Sequence, residues 1–292
     1  MNNPPTIIVT GSSGMVGTSI VSHFSQLGFR VRAFQRKFLK SHDPLISYHS
    51  FDLADVKDQG FQGAHYLVHC AYRPFISREE RESGVNIDIE GTIRIISFCR
   101  AHGIKLIFLS TLSAHPDARS YYAKHKLIAE GLFDVSTDLI LKLGIVLGRG
   151  GGLFGRILSS LGKYRIIPLI GGGRQVTQTI ALDDLCRVLE AGIRQGTVGN
   201  FKIAHPARVT MKELYVGMAD SIGARPFYIS VSWEVAYRSS QILEWMGVSL
   251  PFTAENVLGL QDFRTFDTNS SLEVFGVTTQ DYRATLATMK HE

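Results

Sequence analysis

The chain is expected to fold as an α/β protein, a doubly wound parallel sheet followed by a smaller, mostly helical C-terminal lobe. Three observations lead there. The N-terminal half alternates short β-branched runs with helical patterns, a three-glycine loop joins the first of these strands to the first helix, and beyond about residue 148 helical patterns dominate.

In order, Thr6–Thr10 (TIIVT) reads as a buried strand, and Met15–Leu27 as a helix with Val16, Ile20, Phe24 and Leu27 on one face. Arg30–Phe34 alternates like a strand, and His65–Cys70 and Lys105–Ser110 supply two more. Between those last two, Val85–His102 reads as an amphipathic helix stopped by Gly103, a residue suited to a helix C-terminus. Ser120–Phe133 is expected to be helical and Leu139–Leu147 extended. Strands that are apolar throughout and alternate with helices imply a parallel sheet covered on both faces.

A glycine-rich stretch, Gly148–Gly155, opens the second half, and Gly171-Gly172-Gly173 follows a further helix. Leu182–Arg194, Met211–Ile222, Ser232–Met246, Thr253–Leu260 and Gln280–Lys290 are helix-like. The expected division is a dinucleotide-binding domain at 1–148 and a substrate-binding lobe at 149–292, with the chain crossing back to the sheet.

Composition excludes several classes. Of 292 residues, 45% are hydrophobic and 20% charged, ordinary values for a globular protein and far from those of disordered or fibrous chains. No apolar run approaches the roughly 18 residues of a membrane span, and Met1–Pro5 lacks the start of a secretory signal, so a cytoplasmic protein with no membrane partner is expected. Cys70, Cys99 and Cys186 stand far apart in apolar contexts, as buried thiols of a reducing compartment would. The net charge of +5 is spread along the chain, which argues against a nucleic-acid partner; the one basic cluster is Arg30, Arg32, Arg36, Lys37 and Lys40. The histidines show no ligand spacing, and no metal is expected.

The loop Gly11-Ser12-Ser13-Gly14-Met15-Val16-Gly17 joins a strand directly to a helix. Glycines there permit a tight turn, close approach of a pyrophosphate to the backbone, and close helix–strand packing, while the helix N-terminus points N–H groups at the phosphates. Gly11, Ser13, Gly14, Met15, Val16 and Gly17 are therefore candidate dinucleotide ligands on a Rossmann-type fold. An NAD site usually carries an acid about 20 residues further on, to hold the ribose hydroxyls. Here that stretch reads Arg32-Ala33-Phe34-Gln35-Arg36-Lys37. A guanidinium can grip a 2′-phosphate that a carboxylate would repel, so NADP is expected, with Arg36 as its ligand, Arg32 and Lys37 as auxiliaries, and NAD as the alternative cofactor.

These motifs, taken in order, are similar to those of the short-chain dehydrogenase/reductase superfamily, in its extended or atypical NAD-dependent epimerase/dehydratase branch. They are the loop Gly11–Gly17, Asp52-Leu53, the strand end His69-Cys70-Ala71, Ser110-Thr111, Tyr122-Ala123-Lys124-His125-Lys126 with Leu127–Glu130, and Gly171–Asp184 with its Asp183-Asp184 pair. Together they span roughly residues 6 to 290. A Tyr and a Lys at i and i+4 share a helix face, and a nearby ammonium would lower the phenol toward the range of a general acid/base. The resemblance implies that Tyr122 exchanges a proton with the substrate, that Lys126 also holds the nicotinamide ribose, and that Thr111 hydrogen-bonds the reacting oxygen. Ser110 or Ser113 could take the place of Thr111, whereas Tyr121 is followed four residues on by His125. By the same resemblance Asp52 and Leu53 meet the adenine and Ala71 lines the cofactor groove. A cap or turn aspartate is the competing reading of Asp52. Asn86 opens the helix beside the site. Tyr72, Arg73, Arg149 and Arg174 are the candidate substrate ligands.

Departures from the family pattern narrow the chemistry. Dehydratases of this branch carry an Asp-Glu pair after the active-site threonine, and here Leu112-Ser113 follow Thr111. Where nucleotide-sugar enzymes carry an asparagine and an arginine, this chain aligns Ile145 and Thr177. The expected activity is hydride transfer to or from a carbonyl or secondary alcohol by an oxidoreductase or epimerase, with a sugar nucleotide or another polar metabolite as substrate. The alternative is a non-catalytic NADP-binding redox sensor or assembly protein. A homodimer, common in the superfamily, would use 85–102 and 120–133.

Overall fold

The structure is a computed structural model that describes residues 4–36, 42–73, 86–148, 152–246 and 253–289, with the backbone alone described at 152, 153 and 156. The chain forms two compact units, each assembled from three segments. The first comprises Met1–Ser110, His125–Lys142 and Cys186–Phe201; the second comprises Thr111–Lys124, Leu143–Leu185 and Lys202–Glu292. Each half therefore contributes to both units, and the sequence division at 148 follows neither unit's edges. The return to the sheet is Cys186–Phe201, which carries the first three residues of the strand β11 (Gly199–Ile203).

The first unit is built on a seven-stranded sheet of order β11-β6-β5-β4-β1-β2-β3. Its strands are β1 (Thr6–Thr10), β2 (Arg30–Gln35), β3 (Ile46–Ser50), β4 (Tyr66–His69), β5 (Lys105–Thr111) and β6 (Leu139–Leu143), besides β11. The helices α1 (Met15–Gln26), α2 (Ile87–Ala101) and α3 (Tyr121–Glu130) connect them. β1 pairs in parallel with β2 on one side and β4 on the other, with Ile7 level with both Val31 and Tyr66. The winding reverses there, and in open α/β sheets the crevice beyond the strand ends at such a reversal is where ligands bind. Ile8, Phe34, Phe61, Leu67, Ile95, Leu106, Phe108 and Ile140 form the core, with Phe108 stacked on Phe133 at 4.6 Å. At its margin the fully buried Asp138 accepts from Arg100 at 2.7 Å, so the carboxylate is paired rather than isolated.

The second unit contains β7 (Ile145–Leu147), α4 (Gly152–Lys163), β8 (Ile166–Ile170), β9 (Val176–Thr177), β10 (Thr179–Ala181) and the start of α5 (Leu182–Gln195). It continues with β12 (Val209–Thr210), α6 (Met211–Ser221), β13 (Phe227–Val231), α7 (Trp233–Trp245), α8 (Ala254–Gln261), α9 (Asn269–Phe275) and α10 (Tyr282–Thr288). Phe154, Ile157, Leu161, Leu169, Leu214, Met218 and Val257 lie in its core. Capping boxes start α6 (Thr210 with Glu213) and α8 (Thr253 with Asn256).

Helices dominate this unit, as expected, but it also holds three two-stranded sheets: β7–β10, β9–β12 and β8–β13. The run read as one strand, Leu139–Leu147, divides at Gly144. A Cβ there would lie 2.5 Å from the carbonyl oxygen of Gln178, so only glycine lets the two backbones pass. β6 consequently stays in the large sheet while β7 pairs with β10.

Candidate active site

The Gly-rich loop adopts the geometry its composition requires. Gly11 has φ +68°, and a Cβ on it would sit 2.8 Å from the Cα of Ala71, because the exit of β4 passes directly over it. A Cβ on Gly17 would lie 2.3 Å from the Gly11 carbonyl oxygen, so α1 can approach β1 this closely only with glycine at that turn. Gly14, the N-cap of α1, places no side chain over the helix start, and Met15, Val16, Gly17 and Thr18 bring no carboxylate to it. Ser12 instead turns inward and donates to Gln35 Oε1 at 3.0 Å, while Ser13 is exposed. The helix start therefore carries neither a side-chain cap nor an acidic first turn.

A buried hydrogen-bond chain fixes the exit of β4. Cys70 N–H and Ala71 N–H both donate to Thr10 Oγ1 at 3.2 Å. Thr10 in turn bonds His69 Nδ1 at 2.7 Å, and His69 Nε2 bonds Thr92 Oγ1 at 3.0 Å. Thr92 donates to the Asp88 carbonyl at 2.6 Å, so its oxygen accepts from His69, and the imidazole carries its proton on Nε2. Burial and then the charge of Lys126 push His69 down to about 3, keeping it neutral at any working pH. The strand-end histidine of the sequence motif therefore supports Ala71, which lies over Gly11.

At the end of β2, Gln35 is buried and Arg36 is exposed. Arg32 does not serve as an auxiliary phosphate ligand: its guanidinium donates to the carbonyls of Gly60 and Gln62, both at 2.7 Å. Those two charge-assisted bonds commit it to the loop beside the sheet. Lys37 and Lys40 lie outside the described residues, as does Arg149. Asp52 caps a short 3₁₀ turn, accepting from Ala54 N–H at 2.9 Å with its side chain at the surface, and Leu53 packs beneath Gly91 of α2. Asn86 caps α2 by accepting from Asp88 and Ile89 N–H, and Asp88 accepts from Arg73 N–H at 3.0 Å.

One helix, α3, carries both Tyr122 and Lys126. The Tyr122 hydroxyl is hydrogen-bonded to Thr111. About two-fifths of the tyrosine's surface is exposed, while burial around the hydroxyl pushes the phenol up to about 12, against the smaller opposing effect of Thr111. This corrects the expectation of a lowered phenol. The Lys126 ammonium donates to the Leu109 carbonyl at 2.7 Å, with Phe108 4.5 Å below it and Tyr72 5.7 Å away, each measured to the ring centre. Burial dominates at Lys126 as well and pushes it down from its usual 10.5 to about 8. Tyr122 is a proton-holding group as it stands, and Lys126 is a cation close to losing its proton.

Within the second unit, Asp262 fixes the start of α3. This carboxylate, 1% exposed, accepts from Arg119 N–H at 2.6 Å, from Ser120 N–H at 2.9 Å and from the Ser120 hydroxyl. Sequence reasoning could not find it, because it stands more than a hundred residues from the helix it caps and matches no motif. The same unit holds an open cavity of about 460 Å³, lined by Asp117, Arg119, Gln175, Val176, Trp233, Leu260, Gln261, Phe263 and Arg264. Arg174, the sequence candidate, is exposed just before this wall, and the cavity's guanidinium groups are those of Arg119 and Arg264. Thr177 is buried and Ile145 half-buried, both on short strands. Asp184 is buried, accepts from Gln280 N–H at 2.6 Å and so holds the approach to α10.

The model of the NAD dependent epimerase/dehydratase family matches residues 7–201. The chain belongs to that family. The match takes in the glycine loop, the β4 exit, Thr111, Tyr122 and Lys126, whereas Trp233, Phe263 and Arg264 of the cavity wall lie beyond it. Among relatives of this epimerase/dehydratase-family chain is the 2-alkyl-3-oxoalkanoate reductase of Stenotrophomonas maltophilia, 25% identical over 276 residues, which are 82% of this chain and 82% of the relative. The ceramide reductase of Caulobacter vibrioides is 22% identical over 229 residues, 75% of this chain and 71% of the relative. The chain spans about two-fifths of a third relative, the fatty acid hydroxylase uhd1 of Mycosarcoma maydis, 28% identical over 127 residues, 39% of this chain and 42% of that one. Solved structures with the same fold include MoeE5 in complex with UDP-glucuronic acid and NAD, with a TM-score of 0.72 at 19% identity over 98% of each chain. The UDP-N-acetylglucosamine 4-epimerase of Bacillus cereus also has a TM-score of 0.72, at 14% identity over 98% of this chain and 96% of the other. The family is one of enzymes that use a nicotinamide cofactor.

Proposed function

We propose that this family member is an NADP-dependent reductase that delivers hydride to the carbonyl of a small organic substrate, with Tyr122 as proton donor. The observation that carries the reading is the hydrogen bond between the Tyr122 hydroxyl and Thr111, with burial raising the phenol so that it holds its proton. A group so held suits protonation of the alkoxide oxygen that forms as a carbonyl is reduced. The glycine start of α1 fits the pyrophosphate of a dinucleotide, with Gly11, Ser13, Gly14, Met15, Val16 and Gly17 around it, Ala71 along the groove, Asp52 and Leu53 toward the adenine, and Lys126 on the ribose. Arg36, exposed at the end of β2, reaches for the 2′-phosphate. When bound, the nicotinamide supplies the hydride.

The other steps belong to the chain. Thr111 holds the Tyr122 hydroxyl and the substrate oxygen in one hydrogen-bonded cluster, which steadies the negative charge that appears as the proton leaves. Tyr72 and Arg73, at the β4 exit, are candidate substrate ligands of the first unit, and Arg119 and Arg264 give the cavity of the second unit its guanidinium groups. Two of the relatives are reductases by name, which supports reduction. The Leu112-Ser113 pair places an apolar, buried side chain where a dehydratase of this branch holds its acid, which supports the exclusion of water elimination.

A second reading, a sugar-nucleotide epimerase that keeps its cofactor, is favoured by the UDP-sugar and NAD complexes among the structural neighbours. A single experiment separates the two. Purified protein is mixed with NADPH and a panel of 3-oxo acids, ketones and UDP-sugars, and nucleotide absorbance is followed. Consumption of NADPH with a carbonyl, lowered about 10²- to 10⁴-fold in Tyr122→Phe with unchanged NADPH binding, is the expected result. Release of tightly bound NAD on denaturation, with no NADPH consumption, would replace it by the epimerase.

A further inference from the structure

The parallel pair β8–β13 in the second unit has one face in the core and one in water. Ile167 and Leu169 are buried, while Ile166 (55% exposed) and Pro168 point outward; across from them Phe227 (75%) and Ile229 (50%) are also exposed. The register sets Phe227 opposite Ile166 and Ile229 opposite Pro168, so the four side chains form one continuous apolar strip. Parallel strands begin at the same end, and there the chain places Lys163-Tyr164-Arg165 before β8 and Arg225-Pro226 before β13. Phe227 N–H donates to the Arg165 carbonyl at 2.7 Å, which brings the two leads side by side. Lys163, Tyr164, Arg165 and Arg225 are all exposed, and Lys163 Nζ lies 5.4 Å from the Tyr164 ring centre. Across 158–170 and 220–231 the only acid is Asp220, which acts on Tyr228, a residue of the strand's other face.

From this strip we infer that the second unit docks on an anionic lipid surface, with Phe227, Ile166 and Ile229 entering the headgroup layer and Lys163, Arg165 and Arg225 meeting the lipid phosphates. An apolar strip rimmed by basic and aromatic side chains is the chemistry of peripheral membrane contact. The charge selects this occupant over a second copy of the chain. A two-fold pairing of this face with the strips parallel would set the like charges of Lys163, Arg165 and Arg225 against one another, and an antiparallel pairing would leave them unmatched at its two ends, whereas anionic headgroups complement them. Among the described residues no helix is long and apolar enough to cross a membrane. The inferred contact departs from the sequence expectation of no membrane partner, which rested on the lengths of the apolar runs and on Met1–Pro5. It does not depend on the proposed reductase activity.

The test uses the full-length protein with vesicles of phosphatidylcholine alone and of phosphatidylcholine mixed with phosphatidylglycerol, read by co-sedimentation. Binding to the mixed vesicles is expected, weakening as salt is raised. Phe227→Ser should lower the affinity on the order of tenfold and Arg165→Glu by a similar factor. Both side chains are at the surface, so the melting temperature should stay that of the wild type; if one variant melts early, the other carries the comparison. No binding to the mixed vesicles would overturn the proposal, as would stably folded variants that bind as well as wild type. Light scattering is the last arm: a dimer that Phe227→Ser dissociates, without vesicle binding, would assign the strip to self-association instead.

Discussion

Lys126→Met should make the cofactor-free protein more stable while destroying its chemistry. The ammonium of Lys126 is buried, and burial brings it from 10.5 to about 8. At roughly 1.4 kcal/mol per pH unit between those values, keeping the charge costs the folded state about 3 kcal/mol below pH 8. Methionine of similar length removes that cost and forfeits the bond to the Leu109 carbonyl, worth about 1–2 kcal/mol. The net expected at pH 7 is a gain of about 1–2 kcal/mol, read as a rise of about 2–6 °C in melting temperature. The sign with pH follows from linkage. Between about 8 and 10.5 the unfolded chain binds the proton that the folded chain has released, so wild-type stability rises with pH across that window through this group. The variant lacks the rise, and its advantage should pass through zero between about pH 8.5 and 9.5 and be reversed at pH 10.5. Thermal unfolding of both proteins at pH 7, 9 and 10.5, without added dinucleotide, measures it. A variant that melts below wild type at pH 7, with an unchanged difference at pH 10.5, would show that Lys126 is not a buried, depressed cation. Turnover should fall sharply in the same variant, because the proposed ribose ligand is gone.

Two other substitutions probe the supports of the site. Gly17→Ala places a methyl 2.3 Å from the Gly11 carbonyl and should cost about 1–3 kcal/mol of stability. By displacing the start of α1 it should also weaken NADPH binding, which fluorescence titration would show; wild-type affinity in this variant would refute the packing argument. Asp262→Ala leaves the buried N–H of Ser120 without its acceptor and should cost about 1–3 kcal/mol, with kcat lowered while NADPH affinity is retained. Asp262→Asn, which keeps one acceptor oxygen, should recover part of both.

The first unit was largely legible because its signals are local. TIIVT, the glycine loop and the Tyr122–Lys126 spacing each occupy a few consecutive residues, and the alternation of apolar strands with helices reports a parallel sheet directly. β3 escaped notice because Ile46-Ser47-Tyr48-His49-Ser50 is a polar strand at the sheet's edge, with little hydrophobic pattern to read. The strand break at Gly144 depends on the carbonyl of Gln178 and on Ala204, neither near in sequence. Electrostatics were the least legible part. The sequence predicts the helix that carries Tyr122 and Lys126, but not that Lys126 turns to Leu109 or that burial outweighs the Thr111 hydrogen bond at Tyr122. Arg32 was misassigned for a similar reason: its partners, the carbonyls of Gly60 and Gln62, are backbone atoms without a sequence signature. The cavity arginines Arg119 and Arg264 and the cap Asp262 come together only through folding of distant segments.

The central claim, an NADP site that serves reduction, is tested most directly by titrating the protein with NADPH and with NADH, following nucleotide fluorescence, in wild type and Arg36→Asp. Tighter binding of NADPH by wild type, reversed in the variant, is the predicted result. Equal or tighter binding of NADH by wild type, unaffected by Arg36→Asp, would contradict it.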